Sequence, residues 1–208
     1  MSEARAEIMR RIGAALGSSP AERAVPRDYH GAGADRGFDA VERFCDRVAD
    51  YDATVHRLGE NELEAALGAV CRERGAVRVA VAEVPWRPAG VELVGDDPPL
   101  GPRDLDAMDG VLTGCALAIA ETGTIVLDGA GPSGRRALTL VPDLHLCVVR
   151  VDQVVPAVPD AIAALESAAR ERRPITFVSG PSATADIELI RVQGVHGPRT
   201  LDVFVVHG

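Results

Sequence analysis

Residues 176–206 read TFVSGPSATADIELIRVQGVHGPRTLDVFVV and hold the densest grouping of polar side chains in the sequence. Apolar runs at 174–178, 189–192 and 201–206 predict three strands, and a Gly-Pro turn separates each from the next. Loops on a rigid strand scaffold commonly carry binding or catalytic groups, so we expect these turns to contribute to a functional site. Gly-Pro pairs also turn a chain without any further role, and the residues of this stretch alone are compatible with that interpretation too.

Predicted strands and helices alternate through the middle of the chain. Helices are predicted at 38–50, 60–74 and 156–172, where apolar residues recur at helical spacing. A continuous apolar run at 110–120 predicts one long strand, followed by a tight turn and a second strand at 125–127. This alternation indicates an α/β fold with a largely parallel sheet.

The first 37 residues differ in character from the rest. Residues 2–16 predict an amphipathic helix, and residues 18–37 are rich in Gly, Ser, Pro and charged residues, which is typical of an extended arm. We therefore expect a helix on an arm over residues 1–37 and a single α/β domain over residues 38–208. The sequence does not indicate whether the helix docks on this domain or on a partner.

The composition excludes several classes of function. The chain has 208 residues, a net charge of −9 and no lysine, since all 22 basic residues are Arg. The acidic balance argues against nucleic-acid binding, and the absence of Lys excludes Schiff-base chemistry and a Walker phosphate loop. No signal-peptide pattern is seen and Glu121 interrupts the longest apolar stretch, so we expect a cytoplasmic protein without a membrane span.

The four cysteines are far apart in sequence, and each lies in an apolar context. This pattern predicts buried thiols rather than a disulfide, a metal site or an iron–sulfur cluster. We therefore expect neither a metal nor a cofactor bound to this chain. The four residues are Cys45, Cys71, Cys115 and Cys147.

Gly129–Gly134 matches the G-x-G-x-x-G pattern of dinucleotide-binding loops and follows a predicted strand. A dinucleotide site requires a helix of several turns after the motif, but Pro142 ends the segment too early. We therefore do not expect a nicotinamide site. The loop either contacts a small anion beside Arg135 and Arg136 or is simply solvated.

Glu121 lies in the turn Glu121-Thr122-Gly123-Thr124, between two apolar segments. Such a carboxylate is predicted to be partly desolvated, a setting that suits acid–base or nucleophilic chemistry. Alternatively, it accepts hydrogen bonds from the backbone N–H groups of Gly123 and Thr124 and only stabilises the turn. The chemistry of the residues does not separate the two interpretations.

Ser182 and Thr184 precede Asp186 and Glu188, an order that is typical of a capped helix start. The functional alternative is that the backbone N–H groups around Gly180 bind a substrate anion. The two carboxylates then favour a ligand with one carboxylate over a polyphosphate.

His196 and Arg199 belong to the second Gly-Pro turn. If this turn faces the Gly180 loop, His196 offers acid–base chemistry and Arg199 offers a clamp for a carboxylate. Otherwise the two residues lie on an exposed hairpin. The other histidines, at positions 30, 56, 145 and 207, are expected to be structural or exposed.

Three strings taken together, AIAETGT (118–124), GPSATADIE (180–188) and GVHGPR (194–199), resemble the LUD-domain family, more narrowly its lactate-utilisation protein C (LutC/YkgG-like) group. The resemblance implies a three-layer α/β sandwich like that of the NagB/RpiA/CoA-transferase superfamily. It also implies a part in oxidising L-lactate to pyruvate, as a non-redox subunit whose iron–sulfur clusters lie in partner proteins. One departure is Ala183, where many relatives carry a basic residue.

The resemblance leaves two further functions open. One is a stand-alone CoA-transferase-like enzyme that uses Glu121 as nucleophile or base, by analogy with that superfamily; the other is a carboxylate sensor. Glu121 is the candidate catalytic residue. The remaining candidates would bind a small carboxylate such as lactate or a partner subunit, and they are Thr122, Gly123, Thr124, Gly180, Ser182, Thr184, Asp186, Glu188, His196 and Arg199.

Overall fold

A computed structural model describes residues 3–17, 25–27, 29, 31–185, 191–193 and 196–208, with only the backbone described at 183–185 and 191–193. The chain divides into two units, residues 1–30 and residues 31–208. The first unit contains helix α1 (Glu3–Leu16). Within it the Glu7 carboxylate accepts hydrogen bonds from Arg10 and Arg11, which follow at helical spacing on the same face.

The second unit alternates helices and strands, as the sequence predicts. Its helices are α2 (Ala40–Ala49), α3 (Leu63–Arg74), α4 (Pro102–Asp106), α5 (Val158–Ala164) and α6 (Glu166–Arg170). Its strands are β1 (Thr54–Gly59), β2 (Arg78–Val81), β3 (Glu92–Gly95), β4 (Gly110–Thr113), β5 (Leu117–Ile119), β6 (Thr124–Leu127), β7 (Leu144–Arg150), β8 (Val154–Val155), β9 (Thr176–Val178), β10 (Ala183–Ala185), β11 (Arg191–Gln193) and β12 (Thr200–His207).

The described strands form a large sheet, a small sheet and a two-stranded ribbon. The large sheet has the order β1-β12-β7-β4-β2-β3, and all of its neighbouring strands are parallel. The small sheet has the order β8-β5-β6-β9 and contains two antiparallel pairs, β5-β6 and β6-β9. Strands β10 and β11 pair antiparallel with each other.

Apolar side chains on both faces of the large sheet build the core. On one face, Leu67 and Val70 of α3 pack against Phe204 and Leu146. The other face packs against the small sheet and α2, in a cluster that includes Phe44 of α2. Helix α5 covers the outer face of the small sheet. The predicted three-layer α/β sandwich is confirmed.

A buried carboxylate interrupts this apolar sheet. Asp202 of β12 is fully buried, and its oxygens accept hydrogen bonds from His56 Nε2 at 2.8 Å and from Arg74 Nε at 3.2 Å. His56 also stacks on Phe204, with 4.6 Å between the ring centroids. His56 is therefore a structural residue that, together with Arg74, compensates a buried charge.

Two predicted segments differ from the structure. The run at 110–120 is not one strand, because the chain leaves the large sheet after β4 and enters the small sheet at β5. At the crossing the Gly114 N–H donates to the Pro132 carbonyl at 2.8 Å, and a Cβ on Gly114 would lie 2.9 Å from Pro132 Cβ. The helix predicted to start near Thr184 is also wrong, because Thr184 belongs to β10 and pairs with Val192 of β11.

All four cysteines are buried and carry free thiols, as predicted. Within the described ranges, no helix is long and apolar enough to cross a bilayer, and no group of three or more His, Cys, Asp and Glu side chains has the arrangement of a metal site.

Candidate functional site

A cleft of about 420 Å³ opens where the two sheets meet, beside the first residues of β7 and β12. His145 of β7 and Leu201 of β12 line it from the large sheet. Strand β9 and the loop that follows it form a second wall. The remaining walls are Tyr51, the 3-10 turn Arg136–Thr139 and the turn at 196–198.

The two Gly-Pro turns of the C-terminal stretch meet at this cleft. The Ser182 N–H donates to the Pro198 carbonyl at 2.7 Å, and the His196 N–H donates to Ser182 Oγ at 3.0 Å. Gly180 allows the first turn to approach the body of the unit, because a Cβ there would lie 2.6 Å from the Tyr51 carbonyl oxygen. The sequence left open whether the second turn faces the Gly180 loop or forms an exposed hairpin, and these hydrogen bonds join the two turns.

The Glu-Thr-Gly-Thr turn reaches the cleft through a chain of hydroxyl groups. Thr122 Oγ1 lies 2.7 Å from Thr124 Oγ1, which in turn lies 2.8 Å from Ser179 Oγ. Ser179 follows β9 directly and lines the cleft. Because β6 and β9 are antiparallel neighbours, the start of β6 and the end of β9 lie at the same end of the small sheet. Thr122 and Thr124 thus support the cleft wall from behind.

The side chain of Glu121 lies outside this arrangement. It is exposed and does not line the cleft, so the predicted partial desolvation of this carboxylate is wrong. The turn holds it at the surface, because the flanking backbone is fixed by the Glu121 N–H donating to the Pro156 carbonyl at 3.0 Å. The Gly123 N–H donates to the Ala120 carbonyl rather than to the Glu121 carboxylate.

The other predicted residues occupy three kinds of position. Arg199 is exposed and pairs with the exposed Asp143 at 3.6 Å, so its guanidinium is outside the cleft. Thr184 is described only as a backbone position in β10. Asp186 and Glu188 lie outside the described residues.

His145 lines the cleft, although the sequence predicts no more for it than a structural or exposed histidine. It is 1% exposed, and its Nε2 lies 2.8 Å from Thr113 Oγ1 of the neighbouring strand β4. Burial, assisted by the charge of Arg136, lowers the pKa of His145 to about 4, so the ring is neutral near pH 7. The only signal in the sequence was its position at the start of an apolar strand.

Arg136 is the cation of the cleft. Its Nη1 donates to the Thr139 carbonyl at 2.9 Å and its Nη2 lies 3.4 Å from the His196 carbonyl oxygen. Among the described residues it has no carboxylate partner, and partial burial lowers the pKa of its guanidinium. The adjacent Arg135 differs, since it pairs with Asp96 away from the cleft. A half-buried guanidinium that hydrogen-bonds only neutral groups can bind a carboxylate.

The glycine-rich loop lines a separate cavity of about 630 Å³ near the ends of β2 and β3. Its motif opens only the short 3-10 turn Gly131–Ser133. The several-turn helix of a dinucleotide site is absent there, because the next segment, Arg136–Thr139, is again a single 3-10 turn. This loop therefore lacks the helix N-terminus at which a dinucleotide site holds its pyrophosphate.

Comparison with known proteins relates this geometry to a family. Residues 102–206 match the LUD domain. The chain is 45% identical over 206 residues to lactate utilization protein C of Deinococcus radiodurans, covering 99% of this chain and 96% of that protein. It is 35% identical over 117 residues to lactate utilization protein C of Geobacillus kaustophilus, covering 53% of this chain and 48% of that protein.

A crystal structure of a DUF162 family protein from Deinococcus radiodurans has the same fold. It superposes with a TM-score of 0.67 at 40% sequence identity, covering 80% of this chain and 96% of that one. The uncharacterized protein YkgG of Escherichia coli is 38% identical over 109 residues, 49% of this chain and 47% of its own length. The three motifs at 118–124, 180–188 and 194–199 therefore indicated the right relatives, and the chain belongs to the LUD-domain family.

Proposed function

We propose that this protein acts in lactate utilisation and binds a small carboxylate in the cleft at Arg136. The observation that carries the proposal is a half-buried guanidinium facing a cleft of about 420 Å³ with no carboxylate partner among the described residues. The printed names of two relatives, lactate utilization protein C, support the choice of metabolic role. Lactate and pyruvate are small enough for such a cleft, and each carries one carboxylate.

The neutral groups around Arg136 favour a ligand with a single charge. Hydroxyl groups of Thr139 and Ser182 and the ring of His145 line the same cleft. No described carboxylate lines it, so a single anionic group would find one guanidinium and several neutral hydrogen-bonding partners. A polyphosphate would need more positive charge than the described part of the cleft offers.

Equilibrium binding of L-lactate, measured calorimetrically, tests the proposal. We expect saturable binding to the wild-type protein, weakened about 10- to 100-fold in Arg136→Met, because a hydrogen bond to a charged group contributes about 1.5–3 kcal/mol. Arg199→Met is the matched control: it removes an exposed guanidinium outside the cleft and should bind like wild type. Equal binding by Arg136→Met and wild type, or no saturable binding by wild type, would refute the proposal.

The proposal includes partner proteins. We infer that the chain is a non-redox subunit of a lactate-oxidising system whose iron–sulfur clusters belong to other subunits. The positions of its four cysteines in the sequence support this inference, because they are far apart and lack the close spacing of iron–sulfur motifs. Affinity capture from cells grown on L-lactate, with iron analysis of the eluate, should recover iron-containing partners. Growth on L-lactate that is unchanged by deletion of the gene would contradict the role.

The CoA-transferase-like alternative with Glu121 receives no support from the geometry. The Glu121 carboxylate is exposed and outside the cleft, whereas a nucleophile of that kind needs a desolvated position beside its substrate. A carboxylate sensor would share the cleft and the Arg136 contact. Binding of lactate without any captured partner would favour the sensor over the subunit.

A further inference from the structure

The ring of His145 is held by a chain of buried groups that runs away from the cleft. Its Nε2 lies 2.8 Å from Thr113 Oγ1; the Thr113 hydroxyl donates to Cys147 Sγ at 3.8 Å; and the Cys147 thiol donates to the Gly114 carbonyl oxygen at 3.7 Å. Thr113, His145 and Cys147 are all at most 1% exposed. Water therefore does not compete for these hydrogen bonds.

We propose that this series of hydrogen bonds fixes His145 as the Nε2–H tautomer, so that the cleft prefers a 2-hydroxy carboxylate to the corresponding 2-oxo carboxylate. The preference rests on the proposed carboxylate-binding function. The ligand would place its carboxylate at Arg136 and its C2 substituent at the other ring nitrogen of His145, Nδ1.

The direction of these hydrogen bonds follows from the last acceptor in the series, the Gly114 carbonyl oxygen. A backbone carbonyl oxygen only accepts, so the Cys147 thiol uses its one proton there. Burial raises the pKa of this thiol to about 12, against a smaller lowering by the Thr113 hydrogen bond, so the proton is present at neutral pH. The Thr113 hydroxyl then donates its hydrogen bond to the sulfur, and its oxygen accepts a hydrogen bond from His145 Nε2–H.

A neutral imidazole carries one proton, so a proton on Nε2 leaves Nδ1 as an acceptor. The ring is neutral because burial, with a contribution from Arg136, lowers the pKa of His145. An acceptor facing the ligand distinguishes the two oxidation states of a lactate-like molecule. A 2-hydroxyl group donates a hydrogen bond to Nδ1, whereas a 2-oxo group also only accepts and leaves both atoms without a partner.

Two measurements on the wild-type protein test this preference. Calorimetric titration with L-lactate, pyruvate and propionate should give lactate the lowest Kd, about tenfold or more below that of pyruvate, the effect of one buried hydrogen bond in place of two opposed acceptors. Nitrogen-15 NMR of the histidine rings should show a protonated Nε2 and an unprotonated Nδ1 for His145. An Nδ1–H tautomer, or pyruvate binding as tightly as lactate, would overturn the inference.

Propionate separates this inference from the function on which it rests, because it carries the carboxylate without a C2 oxygen. If propionate binds and lactate and pyruvate bind equally, only the preference fails. If none of the three binds, the carboxylate site fails and the preference with it. Two variants test the hydrogen bonds that hold His145. Thr113→Val removes the acceptor of the Nε2–H hydrogen bond and should reduce the lactate preference to about threefold or less. Thr113→Ser keeps the hydroxyl and should keep the preference.

Discussion

His145 combines nearly complete burial with contact to the cleft. It is 1% exposed, and its neutral ring hydrogen-bonds Thr113. Because a charged imidazole would lose its hydration at this position, burial holds the ring in the neutral form over most of the pH range in which histidines usually titrate. This gives the folded protein a pH dependence that can be measured apart from ligand binding.

We expect the free energy of unfolding to rise with pH between about 4 and 6.5 because of His145. The pKa of this residue is lowered to about 4 in the folded protein from an ordinary value of 6.5. Between these values the unfolded chain binds a proton that the folded protein does not, so stability is lost as the pH falls, by about 3 kcal/mol in full. Urea unfolding at several pH values should show this slope in wild type and a smaller slope in His145→Gln.

His207→Gln is the control for this prediction. His207 is exposed at the end of β12, so its replacement should leave the slope unchanged. Carboxylates whose pKa is lowered by partners, such as Asp96 beside Arg135, also make the free energy of unfolding fall in acid. They do so at a pH below the range of about 4 to 6.5 in which His145 acts. Identical slopes in wild type and His145→Gln would contradict the assignment of a neutral buried ring.

For single residues, contacts between positions that are close in sequence are easier to anticipate than contacts between distant positions. Ser182 and His196 belong to neighbouring Gly-Pro turns, and their contact is one of the two arrangements that the sequence left open. Thr113 and His145 are 32 residues apart and meet only because β4 and β7 are neighbours in the large sheet. Strand order is a property of the whole fold, so the role of His145 could not be read from its own surroundings in the sequence.

Among the elements, the turn between β5 and β6 illustrates what a local pattern leaves out. The sequence predicts a tight turn with a glycine, and Gly123 has a φ of +60°. Its contact with α2 was not predictable, because it depends on how the helix packs on the small sheet. A Cβ on Gly123 would lie 2.4 Å from the Val48 nitrogen and 2.5 Å from the Arg47 carbonyl carbon. Both atoms are backbone atoms of a helix and cannot move aside easily.

Gly123→Ala should therefore destabilise the protein much more than Gly131→Ala. Gly131 also has a positive φ, +47°, but no atom lies within 4 Å of an added Cβ. Left-handed backbone costs a residue with a Cβ about 1–2 kcal/mol, the whole effect expected at Gly131, and the clash with α2 adds about 1–3 kcal/mol at Gly123. Urea unfolding of both variants measures the difference. Equal losses of unfolding free energy would mean that α2 shifts to accommodate the added Cβ.

The division of residues 110–120 between β4 and β5 is the clearest error in the element prediction. Every residue in the two strands is buried, including the one polar residue Thr113, so no exposed or charged position marks the crossing. The signal was Gly114, whose missing side chain allows the chain to pass Pro132. A single glycine within an apolar run fits a strand as well as a crossing, and only the neighbouring loop decides between them.

For the molecule as a whole, the cleft lies where three separate parts of the chain converge. The large sheet contributes His145, the 3-10 turn contributes Arg136, and the chain after β9 contributes Ser182. The parallel α/β architecture was predictable from alternating strands and helices, but the way the small sheet packs against the large one was not. A ligand in this cleft would join these parts, two of which are already linked by the hydrogen bond from Arg136 Nη2 to the His196 carbonyl oxygen.

We therefore expect L-lactate to slow hydrogen exchange in a pattern that reports both local and global opening. At a ligand concentration about 100 times Kd, amides that exchange only through global unfolding should slow about 100-fold, the equivalent of about 2.7 kcal/mol. The amides of Ser182 and His196, whose hydrogen bonds join the two turns, should slow as well. Amides that exchange through local opening of β3, the far edge of the large sheet, should keep their rates. Arg136→Met measured at the same lactate concentration should show only about 2- to 11-fold slowing of the globally exchanging amides, because its Kd is expected to be about 10- to 100-fold higher. Slowing in that variant equal to wild type would place the ligand elsewhere on the molecule.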